Sequence, residues 1–132
     1  MDDSEVIRRG ITTLLSDQAG LTVVGTACDG LEAIEQAQQQ QPDLILLDIG
    51  LPRLNGIEAA RRIRNVAPQA KILFLSQYDT WSTAREALRT GASGYVVKSD
   101  AARELVPGMI SVSQGKPFLS SSLSANDPRT SH

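Results

Sequence analysis

Three short, uniformly apolar runs constrain this chain more than any other feature: Leu44–Leu47, Ile72–Leu75 and Tyr95–Val97, each followed at once by a polar or charged residue, Asp48, Ser76 and Lys98. Runs this short do not make helices, and their lack of alternation fits strands buried on both faces. Between them the apolar spacing turns helical. Gly56–Val66 places Ile57, Ala60 and Ile63 on one face, with Arg61, Arg62 and Arg64 mostly on the other, and Thr80–Thr90 stops at Gly91, the residue type that most readily closes a helix. Strand followed by helix, repeated along the chain, implies a parallel sheet with right-handed crossovers.

The flanking segments extend the same alternation. Ile7, Ile11, Leu14 and Leu15 repeat at helical spacing behind a possible cap at Ser4, and Leu21–Ala27 reads as a strand feeding a turn at Asp29-Gly30. A second helix carries Leu31, Ile34 and Ala37 on one face and ends in a solvated glutamine run, Gln38–Gln41, before Pro42. The last strand, Ser93–Val97, leads into a helix from about Asp100 in which Pro107-Gly108 predicts a kink or a late start. After Gly115 the polar, turn-rich run Ser120–Pro128 reads as a linker or tail. The expected division is a folded domain over residues 1–119 and a linker over 120–132.

Composition narrows the function classes. With 132 residues and 41% apolar content the chain suits one domain with one core. Thirteen basic residues scattered among fifteen acidic ones, net charge -2, give no basic face for sequence-independent nucleic-acid binding. One cysteine, Cys28, cannot form an internal disulfide, and no apolar run approaches the ~20 residues of a membrane helix, so a cytoplasmic location without membrane contact is expected.

In an open parallel sheet the carboxyl ends of the strands line the crevice where ligands bind. Asp48 enters that crevice from a buried strand, followed by Gly50, Pro52 and Gly56, which shape tight loops. Taken alone it reads equally well as a turn or helix-capping aspartate. The Asp2-Asp3 pair could merely offset a helix dipole, Lys98 could be a snorkelling surface lysine, and Ser76 could be an ordinary residue after a strand. What raises their significance is that all of them converge on one crevice. Such a set suits phosphoryl transfer to a carboxylate: Asp2, Asp3, Asp48 and a loop carbonyl supply hard oxygen ligands for Mg²⁺, while the metal and Lys98 offset phosphoryl charge. A GxxxxGK phosphate loop, a Cys/His metal cluster and a Ser/His pair are all missing, and the only histidine is His132.

Asp2-Asp3, Leu46–Pro52 with Gly56, Ser76 and Gly91–Lys98 together resemble the receiver domain of two-component response regulators. The resemblance covers nearly the whole chain with its motifs in order. It implies a flavodoxin-like (CheY-like) α/β fold with strand order 2-1-3-4-5. It also implies that Asp48 accepts a phosphoryl group from a sensor histidine kinase, that Asp2, Asp3, Asp48 and the Gly50 carbonyl hold Mg²⁺, and that Ser76 and Lys98 contact the phosphoryl group. Ser76 would then shift toward the phosphate and Tyr95 turn inward, remodelling the face built from the family's fourth helix, fifth strand and fifth helix. Lys98-Ser99-Asp100 and Gly115–Ser120 resemble the LuxR/NarL/FixJ-like subfamily, whose receivers precede a helix-turn-helix domain. DNA binding and transcription regulation are therefore implied through a further C-terminal domain and not through these residues. The implied role is a switch that at most catalyses its own phosphorylation and dephosphorylation, rather than an enzyme.

Four departures from the family pattern carry consequences. Gln77 replaces the usual small residue beside the switch hydroxyl, Ser99 replaces the common proline after the lysine, and Pro107-Gly108 interrupts the fifth helix. The family's first strand should precede Asp2-Asp3, where only Met1 stands, so the expectation is a truncated first strand: either the chain omits residues of its parent, or the gap is closed by a rearranged or swapped contact from a partner, as in a strand-swapped oligomer. A homodimer is the other assembly the resemblance allows. The alternative function is a pseudo-receiver, an interaction module that never becomes phosphorylated. A phosphatase of the haloacid-dehalogenase type would need an aspartate where Gly50 stands.

Overall fold

The computed structural model describes residues 5, 8–10, 12, 13, 16, 23, 24, 30–48 and 56–126. The elements in chain order are β1 (Val23–Val24), α1 (Gly30–Gln40), β2 (Leu44–Asp48), α2 (Gly56–Val66), β3 (Lys71–Ser76) and α3 (Trp81–Leu88). There follow β4 (Gly94–Val97), a 3-10 turn (Lys98–Asp100), α4 (Ala101–Ser113), β5 (Phe118–Leu119) and α5 (Ser121–Asn126). Ahead of β1, the residues described between 5 and 16 are helical, with Arg9 paired to Glu5 at 2.7 Å.

The five strands form one parallel sheet in the order β1-β2-β3-β4-β5. Its three inner strands are the three apolar runs, and the period of two divides their side chains between the faces. Ile45, Leu47, Ile72, Phe74, Tyr95 and Val97 pack with Ala33, Ala37, Ala59, Ala60, Ile63, Ala84 and Ala87 beneath α1, α2 and α3. Leu44, Leu46, Leu73, Leu75 and Val96 pack on the other side against Leu105, Met109 and Val112 of α4. Each fully buried leucine or isoleucine contributes roughly 1.5–3 kcal/mol of transfer free energy. The run of alanines on α1, α2 and α3 lets those helices approach the sheet closely.

The parallel α/β class is the expected one, and so, among the described residues, is an order without the family's first strand; two details of it follow. The family pattern sets a first strand between the second and third. Here Val23 and Val24 pair directly with Leu44 and Ile45, and no described strand stands between them. Among the described residues this contact within the chain gives the ladder groups of Leu44 and Ile45 their partners on that side.

The second detail is at the other edge. Phe118 and Leu119 pair with Gly94 and Tyr95 as β5, and Ser121–Asn126 is helical, with Ser120 and Leu123 fully buried. The expectation of a linker from residue 120 is corrected over 120–126. Two glycines make the docking possible. A Cβ at Gly94 would stand 2.7 Å from Leu73 Cδ1 and 2.8 Å from the Phe118 carbonyl oxygen, and one at Gly108 would stand 3.0 Å from the Phe118 ring. Gly108 thus serves close packing of β5 on α4, and α4 runs through Pro107 from Ala101 to Ser113 without the late start. Pro107 is exposed, so the Arg103 carbonyl deprived of its helical donor can be met by water.

Two smaller expectations also change. Leu31 is 42% exposed while Ala33 and Ala37 hold the inner face of α1. Gln38, Gln39 and Gln40 are solvated as expected, but Gln41, at φ 45°, donates from its side-chain amide to the carbonyls of Ala37, Gln38 and Val66 and so ties the ends of α1 and α2 together.

Candidate functional site

The register of the sheet builds the site. Asp48 lies opposite Leu75, one residue before Ser76, and Ser76 lies opposite Val97, one residue before Lys98. The last residue of β2, the last of β3 and the first after β4 therefore form a stagger along one edge. Lys98 Nζ donates to Asp48 Oδ2 at 2.7 Å, with the two side chains 24% and 23% exposed. A carboxylate and an ammonium held at this depth attract more strongly than a surface pair and stay open to a small anion.

Ser76 is buried, and its Oγ accepts a hydrogen bond from the Tyr78 amide at 3.0 Å. Tyr95, fully buried on β4, stacks obliquely on Phe74 at 6.3 Å and donates from its hydroxyl to the Tyr78 carbonyl at 2.8 Å. Burial pushes the Tyr95 hydroxyl above its ordinary pKa; a hydrogen bond with Ser76 works against this, while the charges of Asp48 and Asp79 add to it. Tyr95 already stands inward in this structure, joined through Tyr78 to Ser76. Gln77 and Tyr78 are exposed on the loop beyond β3, so Gln77 lies outside the core.

Of the sequence-predicted site, Asp48, Ser76, Lys98 and Tyr95 come together at one end of the sheet. Asp2, Asp3 and Gly50 lie outside the described residues, and among the described residues no group of three or more His, Cys, Asp and Glu side chains gathers to hold a metal. Asp48 is the one described member of the expected Mg²⁺ set. The donor types of that set, three carboxylates and a carbonyl, fit a hard cation that keeps much of its water.

Sequence reading missed a second carboxylate cluster just beyond Lys98. Asp100 is buried, accepts hydrogen bonds from Ser120 Oγ, from the Ser122 amide at 3.3 Å and from Arg103 at 3.2 Å, and ends the turn that begins at Lys98. Burial alone would raise its pKa. The bonds from Ser120 and Ser122, helped by Arg103, outweigh that and hold the carboxyl below its ordinary value. The signal was present in the serines of 120–122, read there as linker composition.

No helix among the described residues is long and apolar enough to cross a membrane. The family model for the response regulator receiver domain matches residues 1–108. Curated relatives include the transcriptional regulatory protein LnrK of Bacillus subtilis, 36% identical over 94% of this chain and 56% of its own length, and DegU of Brevibacillus brevis, 36% identical over 90% and 50%. The chain thus spans about half the length of these relatives. Among solved structures, a two-component response regulator of the LuxR family from Aurantimonas sp. SI85-9A1 superposes with a TM-score of 0.78 at 34% identity, covering 95% of this chain and 89% of that one. With the family model matched across most of its length, the chain belongs to the response regulator receiver domains, among relatives of the LuxR/NarL type.

Proposed function

We propose that the chain is a phosphoacceptor switch in two-component signalling, with Asp48 receiving the phosphoryl group of a sensor histidine kinase. The observation that carries this reading is the Asp48–Lys98 pair at the strand ends, 2.7 Å apart and partly open to solvent. In the transfer, an Asp48 carboxylate oxygen bonds to phosphorus as the bond from phosphorus to the donor's nitrogen breaks, and the electron pair leaves with the donor imidazole. Lys98 is placed to exchange its contact with Asp48 for one with a phosphoryl oxygen, offsetting charge as it develops. Ser76 would offer its hydroxyl to another phosphoryl oxygen, giving up the Tyr78 amide. Asp2, Asp3, Asp48 and the Gly50 carbonyl would hold Mg²⁺, which when bound supplies further positive charge against the phosphoryl oxygens.

The reading makes the chain a switch that carries out its own phosphorylation and loses the group by hydrolysis, not an enzyme with a separate substrate. Its location would be cytoplasmic, with the kinase as partner, a homodimer or strand-swapped oligomer as possible assemblies, and DNA reached only through a further domain. Transcription control is supported by the names of its relatives, "transcriptional regulatory protein" for both LnrK and DegU.

The test is to incubate the protein with acetyl phosphate and Mg²⁺ and measure its intact mass. A gain of one phosphoryl group, lost in Asp48→Asn, is expected. A well-folded sample that gains nothing would overturn the reading and leave the unphosphorylated interaction module.

A further inference from the structure

The turn that carries Lys98 also carries the anchor of α5, the last described helix. Asp100 Oδ2 accepts from Ser120 Oγ and the Ser122 amide, and Glu104, one turn into α4, accepts from the Ser121 amide at 2.9 Å and from the hydroxyls of Ser120 and Ser121. Two helix N-termini, those of α4 and α5, therefore meet with two carboxylates between them. Each terminus presents unsatisfied amides and partial positive charge, and the carboxylates answer both.

Two more contacts tie the same segment to the switch strand. The Ser120 amide donates to the Tyr95 carbonyl at 3.0 Å, and Leu123 enters the core cluster that contains Tyr95. Within the turn, the Ala101 amide closes on the Lys98 carbonyl, so the backbones of Lys98 and Asp100 belong to one bonded turn. At six residues α5 is too short to persist without these contacts. Loss of the polar contacts would therefore favour its melting.

We infer that Asp100 and Glu104 form a latch on Ser120–Ser122 that couples the Asp48–Lys98 crevice to the segment leaving the domain, with phosphorylation loosening the latch. The inference rests on the phosphoacceptor reading. A phosphoryl group on Asp48 replaces the carboxylate as the partner of Lys98, draws on the turn from Lys98 to Asp100, and so disturbs the Asp100 bonds. By linkage, an open latch in turn alters the energy of the phosphorylated state.

Hydrogen exchange read by mass spectrometry on the whole chain tests both parts. For the latch, Glu104→Gln and, as a milder change, Ser121→Ala should speed exchange across residues 119–126 by about tenfold, as expected for loss of a bond to a charged group, while α1 and α2 stay unchanged. Equal exchange in both variants and the parent protein would overturn the latch. For the coupling, acetyl phosphate with Mg²⁺ should speed exchange across 119–126 in the parent protein and not in Asp48→Asn, with intact mass read on the same samples. A mass gain with unchanged exchange would overturn the coupling alone. No mass gain would overturn the phosphoacceptor reading, and with it the coupling, while the latch is still judged by the two variants.

Discussion

Asp48 and Asp100 stand at the same edge of the sheet and are held in opposite ways. Asp48 is partly open to solvent and faces an ammonium on a flexible stem. Asp100 is buried and accepts hydrogen bonds from two serines and an arginine. The difference separates reactivity from architecture: a carboxylate that must attack phosphorus needs an accessible oxygen and a cation able to move with the new charge, whereas a carboxylate that joins two helices needs its lone pairs occupied. On the proposed reading both occur within a few residues, because Lys98 and Asp100 lie at the two ends of one 3-10 turn.

Lys98→Ala should slow phosphorylation by acetyl phosphate by about 10²–10³-fold, the usual cost of removing one preorganised charge-stabilising group. Urea unfolding of the same variant should show a loss of about 1 kcal/mol, because the attraction within a partly exposed pair is largely offset by the cost of drawing both charges from water. A large loss of stability with little effect on rate would invert the roles assigned here.

Asp100→Ala should do the reverse, destabilising the domain by about 3 kcal/mol in urea, since it takes from the buried Ser120 hydroxyl its nearer charged acceptor, leaving Glu104 at 3.4 Å, and removes the partner of the Ser122 amide at the start of α5. An effect no larger than that of Lys98→Ala would erase the distinction.

Acid titration sharpens it further. The Asp100 carboxyl is held below its ordinary value of 3.8, so the stability it contributes is full above that pH and is lost as pH falls through the lowered folded-state value. Asp100→Asn should accordingly flatten the acid limb of the stability curve while leaving phosphorylation of Asp48 near neutral pH in place. An acid limb identical in the two proteins would count against the buried, bonded carboxylate.

Smallest is Tyr95→Phe, which removes the hydroxyl that bonds the Tyr78 carbonyl and Ser76 and should cost about 1 kcal/mol. The Tyr95 hydroxyl is raised above its ordinary 10.0 by burial, so its contribution is full below that pH and fades as pH rises through the higher folded-state value. The Phe variant should lack this alkaline loss when unfolding is followed by circular dichroism.

Much of the fold was legible because the inner strands are self-declaring. Leu44–Asp48, Lys71–Ser76 and Gly94–Val97 are buried on both faces, so their composition alone marks them, and they deliver Asp48, Ser76 and Lys98 to one edge. The edges were less legible. Val23–Val24 pairs directly with Leu44–Ile45; the gap beside Leu44 was expected from the sequence, but the partner that fills it depends on contacts no local pattern encodes. The strand Phe118–Leu119 and helix Ser121–Asn126 rest on gaps left by Gly94 and Gly108 and on the distant carboxylates of Asp100 and Glu104. A serine-rich run with one buried leucine resembles a linker until its acceptors are known.

The central claim is that Asp48, and not its neighbour Asp100, carries the phosphoryl group. After treatment with acetyl phosphate and Mg²⁺, borohydride reduction converts an aspartyl phosphate to homoserine, which peptide mapping can place. The account predicts homoserine at position 48 alone; homoserine at position 100, or at neither position in folded protein, would contradict it.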